Sequence, residues 1–142
     1  MTNDLIARAS ITISAPITEV WGALTNPEAI RRYMFGATVV TDWREGSPIS
    51  WKGEWEGKPY EDKGTILRFE PTRLLQFTHF SPLSGLPDEP ENHHTVTIEL
   101  SGSGNQTHVS LTQDNNPTKR AREHSERNWA MMLAALKELL ET

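Results

Sequence analysis

Residues 5–33 read LIARASITISAPITEVWGALTNPEAIRRY, and the hydrophobic period changes along this stretch, which makes it the most informative part of the sequence about the fold. In the first ten residues apolar side chains alternate with polar ones, which indicates a strand with one buried face. After Pro16 the apolar residues recur at helical spacing, and Asn26-Pro27-Glu28 then predicts an Asn-capped second helix. The sequence therefore predicts a strand followed at once by two short helices.

The middle of the chain has the period and the turn residues of a β-sheet. Strands are predicted near 37–42, 48–55, 60–70, 73–80, 93–101 and 106–114. Gly, Pro and Asn occupy most of the connections between them, as in hairpins. The exception is 81–92, which holds three prolines, and long irregular loops of this kind often carry function.

The last predicted element is a long helix over 117–141, which contains no Gly and no Pro after Pro117. Trp129 and five Met and Leu residues after it form an apolar stripe at helical spacing. We therefore predict one α+β domain over 1–142. In it, a curved antiparallel sheet of about seven strands wraps round the long C-terminal helix, and two short helices follow the first strand.

Composition excludes several classes of protein. At 16.0 kDa the chain suits one domain, and the absence of cysteine excludes disulfides, thiolate metal sites and thiol nucleophiles. The formal net charge is −5 with scattered basic residues, so we expect no nucleic acid partner. The N-terminus does not resemble a secretory signal and no apolar run is long enough to cross a bilayer, so we expect a cytoplasmic protein without membrane partners.

Three tryptophans, Trp43, Trp51 and Trp55, lie within thirteen residues. By alternation Ile49, Trp51, Gly53 and Trp55 share one face of a strand. Gly53 omits a side chain between two indoles, which predicts that something else needs the room. An indole joins a large apolar body to a polar N–H, so Trp51 and Trp55 suit a cavity wall that contacts a ligand. The alternative is that both are core residues packed on the final helix.

Polar side chains on predicted inward faces are the second indication of a cavity. Phe77 and His79 alternate on one face of their strand, and His94 and Gln113 alternate in the same way with apolar residues on the two last predicted strands. Buried polar groups need hydrogen-bond partners, which water or a ligand in a cavity would provide. The alternative is that each is satisfied within the protein.

The first half of the long helix points to the same cavity. Ala121, His124, Ser125 and Asn128 continue the line of the apolar stripe, but they are small or polar. They cannot fill space at the density of a protein interior, so this half borders either a cavity or solvent. Trp129 follows them and is assigned mainly to the core.

Metal binding and acid–base catalysis have no motif to support them. His79, His94 and His124 lack HxxxH or HExxH spacing, so neither a metal nor a cofactor is expected. No GxSxG motif and no pair of inward carboxylates accompanies a histidine, so no catalytic residue is assigned.

Four stretches resemble the family of homologs of the activator of Hsp90 ATPase, within the START/Bet v 1-like (SRPBCC) superfamily. They read ITISAPITEVWGALTNPEAIRRYMFG (11–36), TDWREGSPISWKGEW (41–55), DKGTILRFEPTRLLQFTHFSPLSG (62–85) and HSERNWAMMLAALKELL (124–140). The resemblance implies a helix-grip fold, in which the curved sheet grips the C-terminal helix over an internal cavity. Members of the superfamily bind lipids, hormones, polyketides or other apolar molecules, and some are cyclases or hydrolases.

The expected function is therefore binding of a small, largely apolar ligand between the sheet and the C-terminal helix. One alternative is an enzyme acting on an aromatic or polyketide-like substrate, with His79 or His94 as acid or base. Another is a protein-interaction module like the co-chaperone that names the family. That co-chaperone has a longer chain with an additional N-terminal domain. The expected contacts are Trp51, Trp55, Phe77, His79, His94, Gln113, His124, Asn128 and Trp129. Leu83 and Leu86, in the irregular loop, are expected either at the cavity mouth or as contacts that hold the loop on the sheet.

Overall fold

The computed structural model describes residues 5–81 and 85–141, and within them it contains seven strands and three α-helices. In chain order these are β1 (Ala7–Ile13), α1 (Ile17–Leu24), α2 (Pro27–Tyr33), β2 (Thr38–Val40), β3 (Pro48–Trp55), β4 (Lys58–Glu70), β5 (Leu74–His79), β6 (His94–Ser103), β7 (Gln106–Gln113) and α3 (Lys119–Glu141). A short 3-10 helix, Pro90–Asn92, precedes β6. The predicted order of elements is confirmed.

The strands form one antiparallel sheet in the order β1-β7-β6-β5-β4-β3-β2. Each neighbouring pair is consecutive in the chain except β1 and β7, so the first strand closes the sheet beside the last. Along β1 the predicted alternation is present, since Ala7 and Ile13 are buried while Arg8 is exposed. The register places Leu75, Ile98 and Leu111 side by side across three strands, all of them buried. This face is the inner face of the curved sheet.

The ends of two elements differ from the prediction for local reasons. Strand β2 is shorter than expected, and beyond it the Thr41 hydroxyl donates to the Pro48 carbonyl oxygen at 2.9 Å. Helix α3 begins at Lys119, two residues later than expected, because Thr118 caps it. The Ala121 N–H donates to the Thr118 hydroxyl oxygen at 3.0 Å, as is usual at a helix N-terminus.

Helix α3 lies along the free edge of β1. Glu126 accepts from the Arg8 N–H at 3.0 Å, and the Lys137 ammonium donates to the Thr12 carbonyl oxygen at 2.9 Å. An uncovered edge strand offers unpaired backbone groups to other chains, so these bonds protect β1. They also fix the rotation of the helix about its axis, and this rotation decides which side chains face inward.

The apolar stripe predicted for α3 is buried against the sheet. Met132, Leu133 and Leu136 are its buried residues, and they belong to one core with the inward side chains of β5, β6 and β7. None of the helices within the described ranges is long and apolar enough to cross a membrane.

Candidate functional site

A narrow cavity of about 30 Å³ lies between the inner face of the sheet, α2 and α3. Its lining residues are nearly all apolar: Leu24, Ile30, Tyr33, Met34, Trp43, Ile49, Trp51, Leu75, Phe77, Ile98, Trp129 and Met132. The Tyr33 hydroxyl donates its proton to the Ala23 carbonyl oxygen, so this proton is not available to a ligand. A space of this size holds a water molecule or two, whereas pockets for organic ligands usually measure about 300–1,000 Å³. A ligand would therefore enter only when lining side chains move.

Three expected ligand contacts, Trp51, Phe77 and Trp129, line this cavity. Trp51 is only 4% exposed, and its ring centre lies 5.2 Å from that of Phe77. Trp51 is thus a core residue that also lines the cavity, and its role as a ligand contact stays a prediction. The side chain of Trp55 and the whole of Leu83 lie outside the described part of the chain.

The space beside Gly53 is filled by the protein itself. Tyr60 lies directly opposite Gly53 in the β3–β4 pair, and a Cβ at position 53 would approach the Tyr60 hydroxyl oxygen to 2.6 Å. Aromatic side chains cover strand glycines in this way in many sheets. The expectation that something else needs the room beside Gly53 is therefore confirmed, and what fills it is the Tyr60 side chain.

Beside Trp51 the sheet carries a carboxylate–imidazole pair, formed by Asp62 and His79. His79 Nε2 lies 2.8 Å from Asp62 Oδ2, and the two side chains are 22% and 15% exposed respectively. The His79 ring meets the Trp51 ring edge-on, with centres 5.3 Å apart. Asp62 Oδ1 and His79 Nδ1 are buried and have no hydrogen-bond partner among the described residues. An unpartnered buried polar atom costs about 1–3 kcal/mol, so these two atoms would gain from a partner supplied by a ligand.

His94 lies opposite His79 in the β5–β6 pair, and the two rings are nearly parallel with centres 6.3 Å apart. The His94 Nδ1 is 2.8 Å from the backbone carbonyl oxygen of Asp114, which can only accept, so Nδ1 carries a proton. Burial lowers the pKa of His94, and this outweighs the opposing effect of the bond to Asp114. At neutral pH His94 is therefore uncharged, with the lone pair on Nε2.

Asp62 and Tyr60 are site residues that the sequence analysis did not identify. Both alternate along β4 with Gly64, and the register places Asp62 directly opposite Trp51. Burial raises the pKa of Tyr60, and the negative charge of Asp62 adds to the effect. The signal that could have found them is the alternation in KPYEDKGTI (58–66), which puts one carboxylate on the inward face once the β3–β4 register is known.

Gln113 is buried, as expected, but its polar atoms are bonded within the protein. Trp129 Nε1 donates to its Oε1, and its Nε2 lies 3.4 Å from both Asn116 Oδ1 and Ser125 Oγ. Asn116 in turn donates to the carbonyl oxygens of Leu5 and Gln113 at 3.0 Å. This network is structural, so Gln113 does not need a ligand to satisfy it and Trp129 presents only its ring to the cavity.

His124 and Asn128 are exposed on α3, where their side chains lie 3.1 Å apart. The expectation that they face the cavity is wrong, because the rotation of α3 turns Ser125 and Trp129 inward instead. His124 therefore does not join His79 and His94, which are both partly buried. The described residues contain no group of three or more His, Asp or Glu side chains that could hold a metal ion.

Leu86 lies away from the narrow cavity. It is 47% exposed and lines an open groove of about 680 Å³ together with Tyr60 and Phe80. Lys63 and Asp88 form an ion pair at the same groove. Leu86 is therefore placed at a surface groove, and it does not line the cavity between the sheet and α3.

The chain matches a family model and several solved structures. The model of the Activator of Hsp90 ATPase homolog 1-like protein family covers residues 14–141. None of the curated proteins compared with the chain matches it. The solution structure of ChR145 from Cytophaga hutchinsonii is 58% identical, with a TM-score of 0.86 over 99% of this chain and 97% of that chain.

Two more distant structures share the fold. The Aha1 dimer from Colwellia psychrerythraea is 22% identical, with a TM-score of 0.73 over 96% of each chain. DynU16, a protein of the dynemicin biosynthetic locus, is 19% identical, with a TM-score of 0.81 over 98% of this chain and 48% of that chain. At these identities the likeness shows the fold alone.

Proposed function

Because the chain belongs to the Activator of Hsp90 ATPase homolog 1-like family, we propose that it binds a small, largely apolar molecule between the sheet and α3. The observation that carries the proposal is the narrow apolar cavity at this place, with aromatic walls from Trp51, Phe77 and Trp129. Two methionines, Met34 and Met132, also line it, and their unbranched side chains repack readily round a guest.

The small volume of the cavity sets a condition on this function. A volume of about 30 Å³ has to grow before an organic molecule fits, so the lining must rearrange. Met34 and Trp43 are the side chains best placed to move, because they are half-buried and lie outside the regular elements. Burial of the ligand's apolar surface contributes about 25 cal/mol per Å², from which the costs of association and of this rearrangement are subtracted.

Filling the cavity tests the proposal directly. Titration with the neutral fluorescent probe N-phenyl-1-naphthylamine should show one saturable site on the folded protein. Ile98→Trp places an indole in the cavity and should weaken binding at least about tenfold, whereas the matched control Val40→Trp, at an exposed strand position, should leave it unchanged. Equal binding by both variants, each checked for folding by circular dichroism, would contradict this location. Native mass spectrometry of the purified protein would reveal a ligand carried from the expression host.

A second candidate function, an enzyme acting on an aromatic substrate, is favoured by the Asp62–His79 pair. A carboxylate that orients a histidine is the arrangement by which many enzymes prepare a general base. Turnover of a panel of phenolic, ester and polyketide-like substrates would support this function if His79→Gln lowered the rate about 10²-fold or more while probe binding persisted.

Several other expectations stay predictions. They are a single domain over 1–142, a cytoplasmic location, and the absence of nucleic acid and membrane partners. A co-chaperone role is also untested, since the likeness to the Aha1 structure extends to the fold alone.

A further inference from the structure

We propose that Asp62 and His79 form the polar end of the ligand site, and that one of their buried acceptors takes the hydrogen bond donated by the hydroxyl group of a neutral aromatic ligand, a phenol or an aromatic alcohol. The inference rests on the proposed function and adds to it the chemical class of the ligand. It follows from the hydrogen-bond geometry of the pair, its lack of a donor, its charge and its aromatic neighbours.

The geometry of the pair fixes which atoms can accept. A carboxylate oxygen can only accept, so the 2.8 Å contact between Asp62 Oδ2 and His79 Nε2 places a proton on Nε2. In a neutral imidazole the other nitrogen then carries the lone pair. Asp62 Oδ1 is therefore an acceptor whichever protons the imidazole carries, and His79 Nδ1 accepts in the neutral form; both atoms are buried without a partner in the described part of the chain.

Two neighbouring groups that could donate are engaged elsewhere, and the Tyr60 hydroxyl makes no hydrogen bond to Asp62 Oδ1 or His79 Nδ1. The proton on His94 Nδ1 is directed to the Asp114 carbonyl oxygen at 2.8 Å. Lys63, the cation next to Asp62 in sequence, points to the opposite face of β4 and pairs with Asp88. The site thus has a surplus of acceptors, and a ligand O–H group supplies the missing donor.

Charge then selects among ligands that carry a polar end. Asp62 pairs only with His79 among the described residues, and His94 adds no positive charge because burial keeps it neutral. A ligand carboxylate would bring a second negative charge beside Asp62 in a poorly solvated place, which is unfavourable. A neutral hydroxyl group avoids this repulsion.

Aromatic side chains connect this pair to the cavity. Trp51 lies 5.2 Å from Phe77 and 5.3 Å from His79 between ring centres, and both Trp51 and Phe77 line the cavity. A flat ring that displaces or stacks on Trp51 would extend from the apolar cavity to His79. Aromatic pairs in such offset or edge arrangements contribute beyond simple burial.

Three probes that share a naphthalene ring test the proposal on the wild-type protein. They are 2-naphthol, 2-methoxynaphthalene and 2-naphthoate, with dissociation constants measured by fluorescence titration at pH 7.5. We expect 2-naphthol to bind about tenfold more tightly than 2-methoxynaphthalene, because only the hydroxyl can donate to the buried acceptors. The anionic 2-naphthoate should bind most weakly of the three. A hydroxyl group that is buried without an acceptor weakens binding. Tighter binding of 2-naphthol than of 2-methoxynaphthalene therefore indicates that the site contains an acceptor.

Two variants test whether His79 and Asp62 cause the preference for 2-naphthol. His79→Phe should bring the ratio of the two neutral probes to one or below while 2-methoxynaphthalene still binds, and Asp62→Asn should lower the ratio with little change of shape. The matched control is His93→Phe, because His93 makes the same 2.8 Å contact to Asp88 outside the cavity lining. It should leave the wild-type ratio unchanged.

The outcomes separate this inference from the function on which it rests. Equal or weaker binding of 2-naphthol relative to 2-methoxynaphthalene in the wild type would overturn the inference and leave the proposed function standing. Tight binding of 2-naphthoate would do the same. If neither neutral probe bound at all, both proposals would fall. Because the wild-type ratio decides the matter, the test does not depend on the folding of His79→Phe.

Discussion

A Cβ atom at Gly64 of β4 would lie 1.7 Å from the carbonyl oxygen of Thr78 on β5, so the two backbones are closer there than a side chain permits. At the same point the Thr65 N–H donates to the Thr78 hydroxyl oxygen at 2.9 Å. Asp62 and His79 lie within two residues of this approach on their respective strands. The close contact therefore sets the separation at which the carboxylate meets the imidazole.

Gly64→Ala should destabilise the protein by about 2 kcal/mol or more, because the added methyl group has to push backbone atoms apart. The urea midpoint of unfolding would measure the loss. The matched control is Gly22→Ala in α1, where no atom lies within 4 Å of the added Cβ. It should stabilise the protein by up to about 1 kcal/mol through helix propensity. Similar effects of the two changes would mean that the strands separate without cost.

Trp51→Leu should weaken binding of N-phenyl-1-naphthylamine by about 2 kcal/mol, as loss of a central aromatic contact usually does. The control is Trp21→Leu, since Trp21 is also buried but packs on Phe69 outside the cavity lining. Both changes lower the free energy of unfolding, so binding is compared at temperatures where both variants are folded. If the affinity of Trp51→Leu matched that of the control, Trp51 would be a core residue only.

Stability should fall as the pH drops through the range in which unfolded histidine gains a proton. Burial holds the pKa of His94 below its ordinary value of 6.5, so between the two values the unfolded state binds more protons. The contribution is fully present above about pH 7.5 and declines below about 6.5. Urea midpoints at pH 7.5 and 5.5 would measure the change for the wild type and for His94→Gln.

The glutamine variant isolates this histidine from the other groups that titrate. Its side-chain amide can still donate to the Asp114 carbonyl oxygen, yet it carries no titrating group. The wild type should lose more stability than His94→Gln between the two pH values. A larger loss in the variant would show that protonation of His94 favours the folded state.

Asn116→Ala should cost about 3 kcal/mol in the free energy of unfolding. Asn116 is 1% exposed, and the change removes its side-chain hydrogen bonds to the carbonyl oxygens of Leu5 and Gln113 and the acceptor of the Ser125 hydroxyl. Asn128→Ala is the control, because Asn128 is exposed and the change favours the helix. Thermal unfolding followed by circular dichroism would compare them. A small effect at Asn116 would argue that water replaces its bonds at little cost.

The order of the elements and the inward faces of the strands could be predicted from the sequence alone. Alternation marked the buried side of β1, and it also placed Phe77 and His79 on one face of β5. Helical spacing marked Met132, Leu133 and Leu136 as the buried stripe of α3. These features were predictable because they follow from the geometry of a single strand or helix, which a short window of sequence contains.

The hydrogen-bond partners of the polar residues, by contrast, depend on the folded structure. Asp62 and His79, seventeen residues apart in the chain, meet across an irregular part of the β4–β5 pair. Gln113 accepts a hydrogen bond from Trp129 on α3. His124 became exposed because the bonds between α3 and β1 set the rotation of that helix. Strand register and helix rotation depend on contacts between distant segments, and these contacts leave no local period by which a sequence could reveal them.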